Sequence, residues 1–284
     1  AESARRRGGH IISSTVEHDA VRKSLDALEK QGFEVTRLSP GADGSLSAGN
    51  VLAVLRPDTV LVSLMMVNNE TGAVTDIADI FRKVKDTGSH TLLHTDAVQG
   101  FLKVPFSAKT LGADMISLSG HKIHAPKGIG ALYIRDGLKI APYLMGGGQE
   151  EGRRAGTEAI PLIAAFGAAA AHMASLRGKT LSRLKAEIPG LTAAAGGAPH
   201  ILSVSLPGYR SEVLMNYLEA RGIFVSKSSA CKKGGRSHVL EAMGLPPRVI
   251  DGTIRIGFSR FTTEDEVREF CGALRQASET LAHT

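Results

Sequence analysis

Residues 114–135, DMISLSGHKIHAPKGIGALYIR, decide the fold. Asp114 to Leu118 read as a buried strand that delivers Ser119, Gly120, His121 and Lys122. A Pro-Lys-Gly turn at 126–128 leads into a second strand, Gly130 to Arg135. Polar side chains thus arrive where an apolar strand ends. A lysine partly desolvated at such an end suits Schiff-base chemistry, although a lysine after a strand is as a rule solvated surface.

Upstream the same pattern recurs. Thr59 to Met66 is a buried strand opening into Val67, Asn68, Asn69 and Glu70, and Thr91 to Thr95 is another, ending at Asp96 with Gln99 behind it. Ile77, Ile80, Phe81 and Val84 mark the helix between them. Nearer the start, an apolar strand precedes Val16, Glu17 and His18; Val21, Leu25 and Leu28 share one helical face, and Gly32 is a helix stop before a strand from Phe33 to Leu38. This alternation predicts an α/β domain, a mostly parallel sheet flanked by helices. In such sheets ligands sit beyond the carboxyl ends of the strands, so Asn69, Asp96, Gln99, His121 and Lys122 are expected in one crevice.

Several of these residues have two readings. An aspartate in the position of Asp96 can keep a pyridine nitrogen protonated, or simply cap a helix. Asn69 suits a phenolate oxygen, and His18 suits ring stacking or proton transfer, yet either alone is commonly structural.

Downstream the pattern changes. After the glycines at 146–148, Thr157 is expected to cap an Ala-rich helix reaching about Leu176, with Pro161 tolerated near its start. Beyond Gly178 come a helix, a strand at Ile201 to Leu206, a helix capped by Ser211, a short strand at 223–226, a helix from Ser237, a strand from Thr253 to Phe258 and a last helix from Thr263. This predicts a large domain over 1–177 and a smaller α+β domain over 178–284.

The chain has 284 residues, 43% of them hydrophobic, which excludes disordered and fibrous classes. No apolar run approaches the roughly 18 residues a membrane span needs, and the first ten residues are polar and basic, so a cytoplasmic protein with no membrane partner is expected. The net charge of +6 comes from basic residues spread among nearly as many acids, which argues against nucleic acid as a partner. The two cysteines are too few for a disulfide framework and lack zinc-site spacing, so no metal is expected. Cys231 lies in Ser228-Ser229-Ala230-Cys231 beside Lys232, Lys233 and Arg236, whose charge favours the thiolate. Cys271, among Val267, Phe270 and Leu274, reads as core.

The stretches VEHDAV (16–21), VNNETGAV (67–74), HTDAVQG (94–100), SLSGHKIHAPKGIGALY (117–133), GGGQEEGRRAGT (146–157) and IRIGFSRFTTEDEV (254–267) together resemble, in order and spacing, the class V aminotransferases. This is a family of fold type I pyridoxal-phosphate enzymes, and the chain is most similar to its cysteine desulfurases of the NifS/IscS type. The resemblance implies pyridoxal 5'-phosphate as cofactor, with the Schiff-base lysine at Lys122, the pyridine-nitrogen aspartate at Asp96 and the ring-stacking, catalytic histidine at His18. It implies that Gln99 and Asn69 contact the ring oxygen and substrate, that Ser119 and His121 bind phosphate, and that Thr157 completes a partner's phosphate site in a homodimer. Arg255 would grip the carboxylate of L-cysteine. Cys231 would take its sulfur as a persulfide, leaving alanine, and pass it to an acceptor such as an iron–sulfur scaffold.

Two departures from the family are visible. The chain opens inside what the resemblance makes the helix after the first phosphate-binding loop, so the Gly-Ala-Thr-Glu loop is not represented and weaker cofactor binding is expected. The segment from Cys231 to His238 is shorter than in some members. Alternative readings are another class V enzyme, a selenocysteine lyase or an aminotransferase, and a non-catalytic remnant serving as a binding module.

Overall fold

A computed structural model of the chain describes residues 1, 3, 9–169, 183–188, 190–227, 236–259 and 261–282. Cys231, Lys232, Lys233 and the far end of the helix expected to reach Leu176 lie outside the described residues. The chain divides into two units. The first comprises Ala1–Leu38, Ser47–Met66 and Asp76–Ala171, the second Ser39–Leu46, Val67–Thr75 and His172–Thr284.

In the first unit the chain runs β1 (His10–Ser14), α1 (Asp19–Lys30), β2 (Glu34–Leu38), α2 (Ala48–Leu52), β3 (Thr59–Met65), α3 (Ile77–Asp86), β4 (Leu92–Asp96), α4 (Ala108–Leu111), β5 (Met115–Ser119), β6 (Gly130–Ile134) and α5 (Ile160–Ala169). The strand order is β2-β1-β3-β4-β5-β6, parallel through β5, with β6 antiparallel at the edge. This is the mostly parallel, helix-flanked sheet expected from the alternating pattern. The order reverses between β1 and β3, the kind of switch point where α/β sheets place ligands.

Local chemistry explains the elements. β1 and β3 are buried along their whole length, polar residues included, as strands covered on both faces should be. The one polar residue at the head of β1, His10, is satisfied by Thr59 Oγ1 and Thr36 Oγ1, each at 2.8 Å. Leu25 of α1 packs with Ile11, Phe33, Val60, Leu61 and Leu92. Gly32, at φ +91°, ends α1: its N–H bonds Glu29 O while Phe33 N–H bonds Leu28 O. That pair of bonds satisfies the last helical carbonyls and needs a left-handed residue, hence glycine.

Helix α5 starts at Ile160 and not behind a cap at Thr157. Pro161, with no N–H to lose and φ already near the helical value, favours a helix start beside it, and Thr157 lies three residues short, exposed.

The second unit holds α6 (described over 183–187), β7 (Thr192–Ala195), β8 (Ile201–Ser205), α7 (Ser211–Glu219), α8 (His238–Ala242), α9 (Pro247–Asp251), β9 (Thr253–Gly257) and α10 (Glu264–Thr280). The sheet is β7-β8-β9, antiparallel, and its core joins Leu202, Leu214, Leu218, Ile254, Phe270, Cys271 and Leu274. Cys271 is fully buried there, and burial pushes its thiol up to about 11. Two expectations need correction. Arg210, not Ser211, occupies the N-cap of α7, and the expected strand at 223–226 reduces to one bridge, with Ser226 and Arg255 exchanging both backbone bonds. Gly222, at φ +76°, ends the preceding turn too close to Ser226 for a longer ladder to form.

Candidate active site

Within the first unit, the carboxyl ends of β1, β4 and β5 each deliver ionisable groups. Asp96 closes β4. Its carboxyl is nearly buried, and Oδ1 accepts from Val98 N at 2.9 Å. Burial pushes it above the usual carboxylate range; the Val98 N–H and the positive fields of His18 and Lys122 oppose that rise. The turn after Asp96 folds tightly, with Gly100 N and Phe101 N both bonded to Ala97 O. A Cβ at Gly100 would overlap Met66 Sδ, so the methionine side chain would have to shift.

Lys122 stands in a 3₁₀ turn, Gly120–Ile123, directly after β5. Gly120 N bonds Ile129 O, and a Cβ there would come within 2.7 Å of Ile129 Cγ2, so the lysine-bearing turn is held against the hairpin to β6. His124 closes the turn at φ +67°. Ser119 Oγ and His121 Nδ1 are 2.8 Å apart, an exposed hydrogen-bonded pair beside the lysine, one donating to the other. Burial, then the charges of Lys122, Lys127 and Lys103, hold the His121 imidazole below its ordinary value, which favours the neutral ring.

His18 caps α1, with Nδ1 3.2 Å from Ala20 N. Beside it Glu17 is only 1% exposed; Oε1 accepts from Ser14 Oγ at 2.6 Å and from Met65 N at 3.0 Å, and Oε2 has no hydrogen-bond partner among the described residues. Burial pushes this carboxyl up to about 8, so it carries a proton at neutral pH.

Asn69 and Arg255 meet within the second unit. The guanidinium of Arg255 donates from Nη1 to Asn69 O at 2.9 Å, and Nε and Nη2 make no hydrogen bond among the described residues. Asn68 Oδ1 organises the Asn69 turn by accepting from Glu70 N and Thr71 N. Glu70 accepts from Ser237 Oγ at the head of α8, and its charge favours the Arg255 cation against burial.

Of the residues expected from sequence, His18, Asp96, Gln99, Ser119, His121 and Lys122 fall in the first unit, Asn69 and Arg255 in the second. Thr157 is exposed ahead of α5, and Cys231 lies outside the described residues. Sequence reasoning overlooked Glu17, Glu70 and Lys103. Lys103 was findable: it follows Gln99 by four residues, the spacing at which side chains meet along a helical turn, and its Nζ donates to Gln99 Oε1 at 3.2 Å.

The donor set fits pyridoxal phosphate. A buried acid that needs a cationic partner suits a pyridinium N–H, an amine at a strand end suits an aldehyde, and Ser119 with His121 offers donors to a phosphate. Among the described residues no group of acids, histidines and cysteines could hold a metal ion.

Residues 1–270 match the aminotransferase class-V family. "Cysteine desulfurase 2" of Trichormus variabilis is 43% identical over 91% of this chain and 68% of its own length. "Cysteine desulfurase IscS" of Anaeromyxobacter dehalogenans is 39% identical over 92% of this chain and 68% of its own. Among solved structures, a NifS-like protein superposes with a TM-score of 0.89 at 36% identity, covering 99% of this chain and 78% of that one. The structure titled "SspA in complex with cysteine" gives a TM-score of 0.81 at 34% identity, over 93% and 77% of the two chains.

Proposed function

This chain belongs to the aminotransferase class-V family, and on that premise we propose that it is a pyridoxal-phosphate-dependent cysteine desulfurase that converts L-cysteine to L-alanine. The observation that carries the reading is electrostatic. Asp96 is a buried acid whose charge is supported by His18 and Lys122, three residues brought from the ends of three different segments.

In this reading Lys122 holds the cofactor through its amine, Asp96 faces the pyridine nitrogen, His18 stacks on the ring, and Gln99 and Asn69 address the ring oxygen and the substrate. Ser119 and His121 hold the phosphate, helped by Thr157 of the partner in a homodimer. Bound, the cofactor supplies an electron sink for the charge left at the substrate's Cα. Arg255 binds the substrate carboxylate through the unused side of its fork. The Lys122 amine takes the Cα proton, and His18 returns or accepts protons at the substrate. The Cys231 thiolate attacks the substrate sulfur: the Cβ–S bond breaks, an S–S bond forms, and alanine departs while Cys231 keeps the persulfide for a carrier such as an iron–sulfur scaffold. Among the described residues no helix is long and apolar enough to cross a membrane, in keeping with work in the cytoplasm.

The test is incubation of the purified chain with pyridoxal phosphate and L-cysteine. Alanine and sulfide in equal amounts with thiol present are expected; Lys122→Ala should abolish the cofactor band, and Cys231→Ser should keep the band and lose the sulfide. A cysteine-to-alanine yield unaffected by Lys122→Ala, or full sulfide release by Cys231→Ser, refutes the assignment.

A further inference from the structure

The second unit buries an acid that the chemistry above does not use. Glu70 is 5% exposed; its N–H bonds Asn68 Oδ1 at 2.9 Å, and its Oε2 accepts from Ser237 Oγ. Ser237 is equally buried and caps α8, accepting from Leu240 N at 3.3 Å. The carboxylate is therefore fixed from two sides, by its own turn and by the helix cap. Asn69, the residue before it, offers the carbonyl to which Arg255 Nη1 donates at 2.9 Å, so acid and guanidinium are neighbours through one residue. Burial works against the Arg255 cation, and the charge of Glu70 works for it. Charges held this far from water are weakly screened, and a buried acid is costly unless it balances a cation.

We propose that Glu70 sets the affinity of the substrate site for carboxylates: it is the fixed counter-charge of Arg255, so an arriving carboxylate meets a pair already balanced and not a bare cation. The inference rests on the desulfurase reading for the role of Arg255. Its direction follows from Coulomb's law. Arg255 attracts the ligand's carboxylate and Glu70 repels it, whichever amino acid carries that group. Alanine leaves with the same carboxylate that cysteine brought, so a grip tight enough to hold the substrate firmly would also retain the product and slow turnover. Glu70 acts through Arg255, as a residue that tunes the grip and takes no part in the bond changes.

The experiment is a calorimetric titration of the holoenzyme with L-alanine and with L-alaninamide, which lacks the carboxylate. Glu70→Gln keeps an acceptor for Ser237 Oγ and removes the charge. It should tighten L-alanine roughly fivefold, the effect of one like charge removed from a poorly screened site, and leave L-alaninamide within a factor of about two. A merely damaged site would bind less tightly, so the sign of the change separates the two causes. Ser237→Ala removes the hydrogen bond and keeps the charge, and should not tighten L-alanine. If Glu70→Gln does not fold, Glu70→Met combined with Ser237→Ala carries the test, since it removes both ends of the buried bond together. Unchanged or weaker L-alanine binding without the Glu70 charge, or equal tightening of L-alaninamide, overturns the role of Glu70 alone. Arg255→Gln should weaken L-alanine at least about tenfold, as loss of a charge-assisted pair does; wild-type affinity in that variant overturns the carboxylate grip of Arg255 and this inference with it.

Discussion

Replacing Glu17 by glutamine should change the pH dependence of stability. The carboxyl is buried, and its folded-state value of about 8 stands above an ordinary value of 4.5. A group whose folded pKa is raised binds its proton more tightly when folded, so its contribution is fully present below pH 4.5 and is lost as the pH climbs through 8. Across that window wild type should lose roughly 1.4 kcal/mol per pH unit relative to Glu17→Gln, with a ceiling of roughly 5 kcal/mol. The amide keeps a carbonyl for Ser14 Oγ and Met65 N, while its NH2 takes the place of Oε2, which has no hydrogen-bond partner among the described residues. That mismatch costs about 1–3 kcal/mol, but at every pH alike. The assay is urea unfolding of both proteins at pH 5.5, 7 and 8.5, read as the difference between them so that other titrating groups cancel. A difference that grows in favour of glutamine with rising pH is expected; parallel pH profiles would show that Glu17 ionises in the ordinary carboxylate range and refute the reasoning.

Three further substitutions probe the fold and the chemistry. Asp96→Asn keeps the oxygen that accepts from Val98 N, so the fold should survive, yet it removes the charge, and alanine formation from cysteine should fall by roughly 10²–10³-fold in a steady-state assay. Gly72→Ala should destabilise the chain by about 1–3 kcal/mol in denaturant unfolding, because φ is +74° and the new Cβ would lie 3.0 Å from Ile201 O. Cys271→Ser should cost about 1–3 kcal/mol in the same measurement by burying a hydroxyl among Phe270, Leu274 and their neighbours, with no loss of cofactor binding.

The large sheet was legible in sequence because its strands are buried on both faces and end abruptly in polar residues: Thr59–Met65 into Asn68 and Asn69, Leu92–Asp96 into Gln99, Met115–Ser119 into His121 and Lys122. What stayed hidden depended on pairing or on distant chain. Thr192–Ala195 is alanine-rich and helix-prone by composition, yet it is a strand because β8 offers it a ladder, Thr192 opposite Ser205 and Ala193 opposite Val204. The assignment of 39–46 and 67–75 to the second unit is equally invisible, since both segments continue first-unit strands in sequence. The hydrogen bond that Arg255 gives to Asn69 O, from 186 residues away in the chain, is likewise not readable from sequence. Glu17 was passed over because an acid beside a histidine at a strand end looks solvated until its neighbours, Ser14 and Met65, are known.

Two acids close enough to feel each other's charge, Glu17 and Asp96, cannot both ionise cheaply away from water. Burial raises both, so the surroundings decide which one keeps the charge. Asp96 has the Val98 N–H and the fields of His18 and Lys122; Glu17 has two neutral donors on one oxygen and, among the described residues, no hydrogen bond on the other. The proton therefore belongs to Glu17 and the charge to Asp96, the division that lets one acid meet a cationic ring nitrogen while the other braces Met65 at the end of β3. The division has a measurable consequence. Asp96 contributes to the rise of Glu17, so in an Asp96→Asn background the pH at which the stability difference between wild-type Glu17 and Glu17→Gln levels off should move downward and its ceiling should shrink. An unchanged ceiling, levelling off at the same pH, would mean that burial alone sets Glu17, and that the two acids titrate independently.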